Sequence, residues 1–482
     1  MNGVGLVNVS TNMGAYYIPG YESVTPTTPT NLTLTVLSTS GIFGLPSTFS
    51  ATLTSNGTPL SNTRVTIAVG SVARQALTDG NGVATVSIPL TVLPGDYTVH
   101  ATYAGSPIYI PASASSPFTI NKQTPTLTLA PQPSTSQYSD PAPLIATLLD
   151  AANLPISEQT VFFIISGNGV NLGLPVITDY IGRAPLGTIN LAPGTYTVNA
   201  YYSGIIPLPG GSIKLNDFRY NPATAPSTGS GTLIVTPEDA TLAYTGSTIA
   251  SMNTTLTLSA TVTQAADGYP GDLTKSSVQF SIIRGASTVV ATASAPVSAS
   301  GVASTTLSGL PAGLYQVAVS LGGGYFVAQP LSIQLALFNP SPSIAAGIGK
   351  ISSPAGDYYP NPSLSGTTGF AFYAYYPSGK TVPSGYATVN FNSGTLSFSS
   401  TSLDWLIISS GNQAILKGSG TVNGVGGYGI LISLIAPSSG QDYFRVKIWN
   451  KTTGSVLYDS QPGAPDYAAP TSPTTGLSIV LQ

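Results

Sequence analysis

Three segments of this 482-residue chain end in the same way. LPGDYTVHATYAG runs from Leu93 to Gly105, LAPGTYTVNAYYSG from Leu191 to Gly204, and LPAGLYQVAVSLGGGYF from Leu310 to Phe326. Each places a glycine two residues before a tyrosine (Gly95/Tyr97, Gly194/Tyr196, Gly313/Tyr315) and continues with a strand-like alternation. A second shared mark lies upstream: TDGNGVATVSI with Gly82, TDYIGRAPLGTI with Gly182, and SASGVASTTL with Gly301. These glycines precede the tyrosines by 15, 14 and 14 residues. Self-similarity at matched spacing means one supersecondary unit used several times. The chain therefore has to fold as a series of small related domains.

The residues of the unit say what kind of domain it is. In D-G-N-G the glycines supply the positive φ of a tight hairpin turn. Beyond the Pro-Gly turn, Tyr97, Val99, Ala101 and Tyr103 fall on one face of a strand, with Thr98, His100 and Thr102 on the other. Each copy begins with a comparable strand: LTLTVL from Leu32, TLTLAP from Thr126, TLTLSATV from Thr255. Short alternating strands with frequent turns, over about 95–120 residues per copy, describe a β-sandwich. The tyrosine that opens a late strand occupies the tyrosine-corner position of immunoglobulin-like domains.

These three segments resemble the bacterial Ig-like repeat modules of secreted and cell-surface proteins, whose late portion reads D-x-x-G-x-A and then L-P-x-G-x-Y-x-V-x-A-x-Y-x-G. The first copy matches through Gly82, Ala84, Gly95, Tyr97, Val99, Ala101, Tyr103 and Gly105. The second carries Pro185 in its middle strand and an insertion. In the third, Ser298 replaces the turn aspartate and the terminal A-x-Y-x-G is lost. The resemblance covers roughly residues 30–337. It implies a fold, and a role as spacer, stalk or assembly module.

From about Ser341 the texture changes. The runs Ser400–Leu434 and Gln441–Gly463 resemble the all-β C-terminal module of secreted bacterial proteins called the post-COAP type. The matching features include Trp405, Lys417, Gly420, Tyr428, Asp442, Phe444, Arg445, Lys447, Trp449, Tyr458 and Asp459. The chain departs from that pattern at Asn450 and Ser460, and no biochemical activity comes with the resemblance. Independently, alternation sets Phe444, Val446 and Ile448 on one face of a strand and Arg445, Lys447 and Trp449 on the other.

The expected architecture is all-β: tandem immunoglobulin-like β-sandwiches followed by a C-terminal β-sandwich or jelly-roll-like domain. A strand-like segment and Pro/Thr linker occupy 1–30. Ig-like domains follow at 31–123, 124–237 (with an insertion at 205–231) and 238–338, and the C-terminal all-β domain at 339–482. GVGLVNVS at the start and GLSIVLQ at the end are detached strand-like pieces able to complete a neighbour's sheet by strand addition.

Composition sets the function classes. Only 6% of residues are charged, with 14 Lys and Arg against 17 Asp and Glu, where an average domain carries roughly 25%. No basic field exists to hold a phosphate backbone, so nucleic acid is excluded as a partner. The longest apolar stretch, Tyr428–Ala436, is far short of the ~18–20 residues that span a bilayer. One histidine and no cysteine rule out disulfides and thin the stock of catalytic groups. The N-terminus lacks the basic and apolar regions of a secretory leader. An extracellular or cell-surface home thus requires that the leader is absent from this sequence or that the chain is a segment of a longer one.

Candidate sites are few. His100 has Asn199 and Ala318 as its repeat equivalents and reads as solvent-facing. Gly424-Val425-Gly426-Gly427-Tyr428-Gly429 matches G-x-G-x-x-G, but ILISLIAP follows where a helix would have to start, so it reads as a hairpin turn. Asp357, Asp404, Asp442 and Asp459 are the carboxylates to weigh for glycoside hydrolysis, and nothing in the sequence converges them. No cofactor and no metal site is expected; Asp267 and Asp272, flanking a Gly-Tyr-Pro-Gly turn, are at most a weak calcium motif. Trp449, with Arg445 and Lys447 beside it, is the candidate ligand surface, and Tyr373, Tyr375, Tyr376 and Tyr386 are further aromatic candidates for sugar stacking. N-glycosylation sequons stand at Asn8, Asn31, Asn56, Asn253 and Asn450.

A surface of Ser, Thr, Asn, Gly and Tyr repels its own kind weakly and leaves sheet edges available. The expected function is that of a non-enzymatic extracellular structural or assembly protein: a stalk, surface-layer or filament subunit that self-associates. The alternative is an adhesin whose C-terminal domain recognises a cell-surface glycan or cell-wall polymer. Trp449 packed under a neighbouring module favours the scaffold, and Trp449 open in a concave face favours the binder.

Overall fold

The computed structural model describes residues 27–227, 229–339, 344–409, 412–476 and 479–481. The N-terminal piece GVGLVNVS and the sequon at Asn8 lie outside them. Among the described residues, apart from two short 3-10 turns, every regular element is a β-strand. The chain divides into two compact units. One comprises 1–134, 143–187 and 195–233; the other comprises 135–142, 188–194 and 234–482.

The first sandwich shows the plan of the repeat. One sheet pairs Pro46–Ser55 with Asn31–Val36 on one side and Val83–Pro89 on the other. The second runs in the order Ser40–Ile42, Ala112–Asn121, Gly95–Tyr103, Arg64–Val69, Val72–Leu77, with the first pair parallel and the rest antiparallel. Alternation buries one face of each strand, and Phe49, Leu53, Val65, Ile67, Val99, Ala101, Phe118 and Ile120 form the core between the sheets. Thr98, His100 and Thr102 are exposed, as the period-2 pattern requires. The strand orders recur in the other two copies: Thr126–Ala130, Pro141–Leu149, Arg183–Thr188 in the second and Val302–Leu307, Leu256–Gln264, Glu238–Tyr244 in the third.

The tyrosine corner is present as a bond. The Tyr97 hydroxyl donates to the Leu93 carbonyl at 2.6 Å, and Tyr315 donates to that of Pro311 at 2.9 Å, each four residues upstream. The D-x-x-G mark is not the hairpin that its glycines suggest. Val72–Leu77 pairs with Arg64–Val69, whereas Val83–Pro89 pairs with Pro46–Ser55, so the turn carries the chain from one sheet to the other. Asp79 Oδ1 holds it by accepting from the amides of Asn81 and Val83, both at 2.9 Å, and Asp179 does the same for Ile181 and Arg183. In the third copy the Ser298 hydroxyl accepts from Val302 at 3.0 Å. Gly82, Gly182 and Gly301 have φ of +74°, +77° and +82°. A Cβ on them would lie 2.6, 2.5 and 2.3 Å from the carbonyls of Leu53, Leu148 and Val262, which explains the invariant glycine among the copies.

The C-terminal module is one continuous sheet. Antiparallel pairing runs Gly366–Tyr375, Ser384–Phe391, Leu396–Ser409, Gln413–Val422, Val425–Ile435, Tyr443–Asn450, Ser472–Thr475, Ile344–Ser353. The last of these pairs again with Gly366–Tyr375, closing the sheet around the core. Register shifts at Ser400/Ser402 and Leu403/Trp405 bend the long strand Leu396–Ser409, the usual work of bulges. Phe370 and Phe444 stack across the core at 3.7 Å between ring centroids. The described part of the C-terminal piece GLSIVLQ fills its own sheet: Val480 pairs with Ala346 and Leu481 with Ala345.

Candidate functional site

The strand Tyr443–Asn450 was the sequence's first candidate, and the structure separates its residues. Phe444, Val446 and Ile448 are buried in the core. Arg445, on the opposite face, is not on a surface: it is 0% exposed. Its Nε and Nη2 reach both oxygens of Asp459 at 3.0 and 2.9 Å, and Nη1 and Nη2 donate to the carbonyls of Pro465 and Ala464. The segment after Asp459 folds back over that face, so a guanidinium read as a ligand contact is a structural ion pair. Lys447 pairs with Asp466 at 2.8 Å and is partly buried.

Trp449 is partly buried as well. It packs on an apolar cluster made by Leu314 and Ala336 of the third repeat with Trp405, Ile407 and Leu431 of the C-terminal module. Lys417 lies 5.8 Å from its ring centroid and donates to Gln334 at 3.2 Å. Gly429 is needed beneath the indole, since a Cβ there would come within 2.4 Å of it.

The tyrosines divide in the same manner. Tyr376 is 2% exposed, and its hydroxyl accepts from the Leu406 amide. Burial raises its phenol to about 12. Tyr373 and Tyr386, cross-strand partners, are exposed beside Ile348 and Val480 along a shallow groove of about 340 Å³. Asn423 and Gly424, at φ +52° and +85°, make the glycine-rich motif the hairpin turn it was read as. Asn31, Asn56 and Asn253 are exposed and Asn450 is partly so.

Of the four aspartates weighed for catalysis, two are buried near each other. Asp357 accepts from the Ser353 hydroxyl at 3.0 Å, and Asp459 is held by Arg445. Asp442 accepts from the Ile479 amide at 3.1 Å. Burial pushes the Asp357 carboxyl up to about 6, opposed by the Ser353 hydrogen bond and reinforced by the charge of Asp459.

A carboxylate cluster forms elsewhere, from residues that the sequence did not join. Asp140, Glu238 and Asp267 each bring a carboxylate oxygen within 4.8 Å of the others'. Asp140 follows the turn at Tyr138–Ser139, Glu238 opens the strand Glu238–Tyr244, and Asp267 lies in the loop after Leu256–Gln264. Ser139, at φ +71°, donates from its hydroxyl to the Tyr269 carbonyl at 2.6 Å, while Asp267 accepts from the Tyr269 amide at 2.9 Å. Glu238 is 1% exposed and neither of its oxygens has a hydrogen-bond partner; Asp140 Oδ1 is likewise unpartnered. Burial raises Glu238 to about 7. A contact with Asp267 adds to this, becoming a hydrogen bond only when one of the two carboxyls carries a proton, and the charges of Asp267, Asp140 and Asp239 push the same way. Asp272, paired with Asp267 in the sequence reading, instead caps the turn Leu273–Lys275 through Thr274.

No family model and no curated protein sequence matches the chain. Among solved structures it is similar to invasin, a bacterial integrin-binding protein, at 14% identity over 93% of this chain and 99% of that one, with a TM-score of 0.34. It is also similar to three N-terminal domains of the bacteriophage RB49 outer capsid protein Hoc (12%, 64% and 98%, TM-score 0.24) and to the D0–D1 domain of intimin (22%, 40% and 96%, TM-score 0.15). The likeness is one of fold alone. Among the described residues no helix is long and apolar enough to cross a membrane.

Proposed function

We propose that the chain is a non-enzymatic extracellular structural protein, a stalk, surface-layer or filament subunit, with the post-COAP-like module as its head or anchor. The observation that carries this reading is Trp449. Its indole is packed on a cluster to which both the third repeat and the C-terminal module contribute, rather than being held open to a ligand. Side chains committed to joining modules fit a load-carrying part.

A second junction supports the same reading. The insertion of the second repeat folds as the hairpin Gly204–Leu208 with Gly211–Leu215, and the chain after it binds the linker that follows the first sandwich. Gln123 N–H donates to the Arg219 carbonyl, Asn221 N–H to that of Gln123, and the Tyr220 ring meets Phe43 edge-on at 6.0 Å. The insertion thus contributes contacts to a module boundary.

Self-association follows from the edges. Thr288–Pro296 is the outer strand of its sheet, carries no charged residue and exposes Val289 and Val290. Natural edges that avoid pairing usually carry charge or bulges; this one lacks charge, and its single register shift lies at Val290, leaving Ala291–Pro296 in regular pairing with an open outer edge. Because Val480–Leu481 is already paired within its own domain, such edges are the better route to assembly than the C-terminal piece.

Negative-stain electron microscopy of the full chain over a concentration series, with light scattering alongside, tests this. Ordered sheets or filaments that Val290→Lys prevents are the expected result. Monomers at every concentration would remove self-assembly from the proposal.

One observation favours the alternative, an adhesin that binds glycan: the exposed cross-strand pair Tyr373 and Tyr386 offers ring faces for sugar stacking. Binding of the full chain to a glycan array, lost in Tyr386→Ala, would move the reading there.

A further inference from the structure

Glu238 poses a problem that its surroundings do not solve. A carboxylate taken out of water without a partner costs several kcal/mol, and proteins answer by protonating it, pairing it or coordinating it. No lysine, arginine or histidine stands in an ion pair with Glu238, Asp140 or Asp267 among the described residues. The side chains that converge with it are instead two more acids. Three converging carboxylates repel one another unless something positive lies between them.

The geometry points to a cation: we propose that Asp140, Glu238 and Asp267 form a Ca²⁺ site. The donor set is all oxygen, which suits a hard ion and not zinc or copper. Three protein carboxylates converging on one point suit calcium, which takes most of its ligands from protein oxygens, better than Mg²⁺, which keeps several waters beside one or two carboxylates. The three oxygens lie within 4.8 Å of one another, and two ligands at about 2.4 Å from one ion can stand up to roughly 4.8 Å apart, so the group fits a single Ca²⁺. Glu238 is the unpartnered buried donor aimed into the group, and Asp267, exposed in its loop, leaves a route for the ion and room for waters to complete its shell.

The three donors come from three separate stretches of chain. The turn at Ser139 is tied to the Tyr269 carbonyl, Gln137 donates to Asp239 at 3.1 Å, and the ring of Tyr138 packs edge-on against Tyr325 at 5.0 Å and Phe326 at 5.8 Å. The ion therefore would clasp the turn 138–140 to the first strand and a loop of the third sandwich. This role is independent of self-association and of any ligand of the C-terminal module.

The experiment uses the full chain and calcium chloride. Isothermal titration is expected to show one saturable site with a Kd in the ~10⁻⁴–10⁻³ M range of extracellular modules. The melting temperature should rise with calcium and fall back with chelator. Terbium should bind the same site and give luminescence sensitised by Tyr138 and Tyr269. Glu238→Gln should abolish saturable binding and the calcium-dependent rise. Asp267→Asn, in an exposed loop, should weaken binding at least tenfold while leaving the fold intact, which keeps the test valid if the buried variant fails to fold. Asp96→Asn in the first sandwich is the control. Absence of saturable binding up to about 10 mM calcium, or binding that Glu238→Gln and Asp267→Asn both leave unchanged, overturns the site.

Discussion

Arg445 and Asp459 face each other through two parallel hydrogen bonds of 3.0 and 2.9 Å with both side chains withdrawn from water. Bidentate geometry, with the carbonyls of Pro465 and Ala464 taking two more of the guanidinium's five N–H donors, makes this pair tolerable in a buried place. Removing one partner strands the other.

Arg445→Ala should therefore cost the C-terminal module about 3–5 kcal/mol. Lys447→Ala, which breaks a partly exposed pair, should cost less than about 1 kcal/mol. Trp405 and Trp449 are the only tryptophans in the chain, so tryptophan emission during urea unfolding reports this module. Equal midpoint shifts for the two variants would contradict the assignment.

Asp357 gives the same module a pH dependence. Its carboxyl, normally near 3.8, is raised to about 6 by burial, against the Ser353 hydrogen bond and with the help of Asp459. Between those values the folded module holds a proton that the unfolded chain has released, so stability falls as pH rises through the window and levels off above it. The loss should be on the order of 3 kcal/mol. Asp357→Asn should flatten that slope in tryptophan-detected urea midpoints measured from about pH 4 to about pH 7; an unchanged slope would assign it elsewhere.

Gly82 and Gly57 separate two costs of a side chain. Both have positive φ, +74° and +77°, but only Gly82 would drive a Cβ into a carbonyl, that of Leu53 at 2.6 Å. Gly57→Ala should cost about 1 kcal/mol for conformation alone, and Gly82→Ala at least about 1 kcal/mol more. Hydrogen exchange at the Leu53 amide, which donates to the Gly82 carbonyl at 2.9 Å, reads the difference.

Tyr315→Phe deletes one hydroxyl bond from a side chain that is 1% exposed. The expected loss is about 0.5–1.5 kcal/mol, with a smaller one for Tyr97→Phe, where water can replace the bond. Faster exchange across Gly313–Gly322 in the first variant, and little change across Gly95–Tyr103 in the second, would bear this out.

Local pattern carried a reader a long way here. Alternation assigned the faces of Tyr97–Tyr103 and Phe444–Trp449, and repeat spacing found the tyrosine corner, because both are properties of neighbours along the chain. What covers a face is not such a property. Arg445 lies on the side that alternation assigned, yet residues 464–466 close over it and turn a ligand candidate into a buried pair. The D-x-x-G turn carried hairpin residues but joins different sheets, since a turn's residues fix its backbone and not the partners of the strands beyond. Closure of the C-terminal sheet depends on Ile344–Ser353 meeting strands distant in sequence. Asp140, Glu238 and Asp267 come from three segments, and no spacing rule links them; the adjacent acids Glu238 and Asp239 at the opening of a strand, in a chain so poor in charge, were the available hint.

The scarcity of charge has one more consequence. Among the described residues only three ion pairs form, and just one of them, Arg445 with Asp459, is buried. Dissolved salt acts on proteins largely by screening exposed charges, and this surface gives it little to screen. Packing, sheet hydrogen bonds and hydroxyl-rich faces do the holding instead. The unfolding midpoint should therefore move little between low and high sodium chloride, calcium and strongly excluded salts such as sulfate apart.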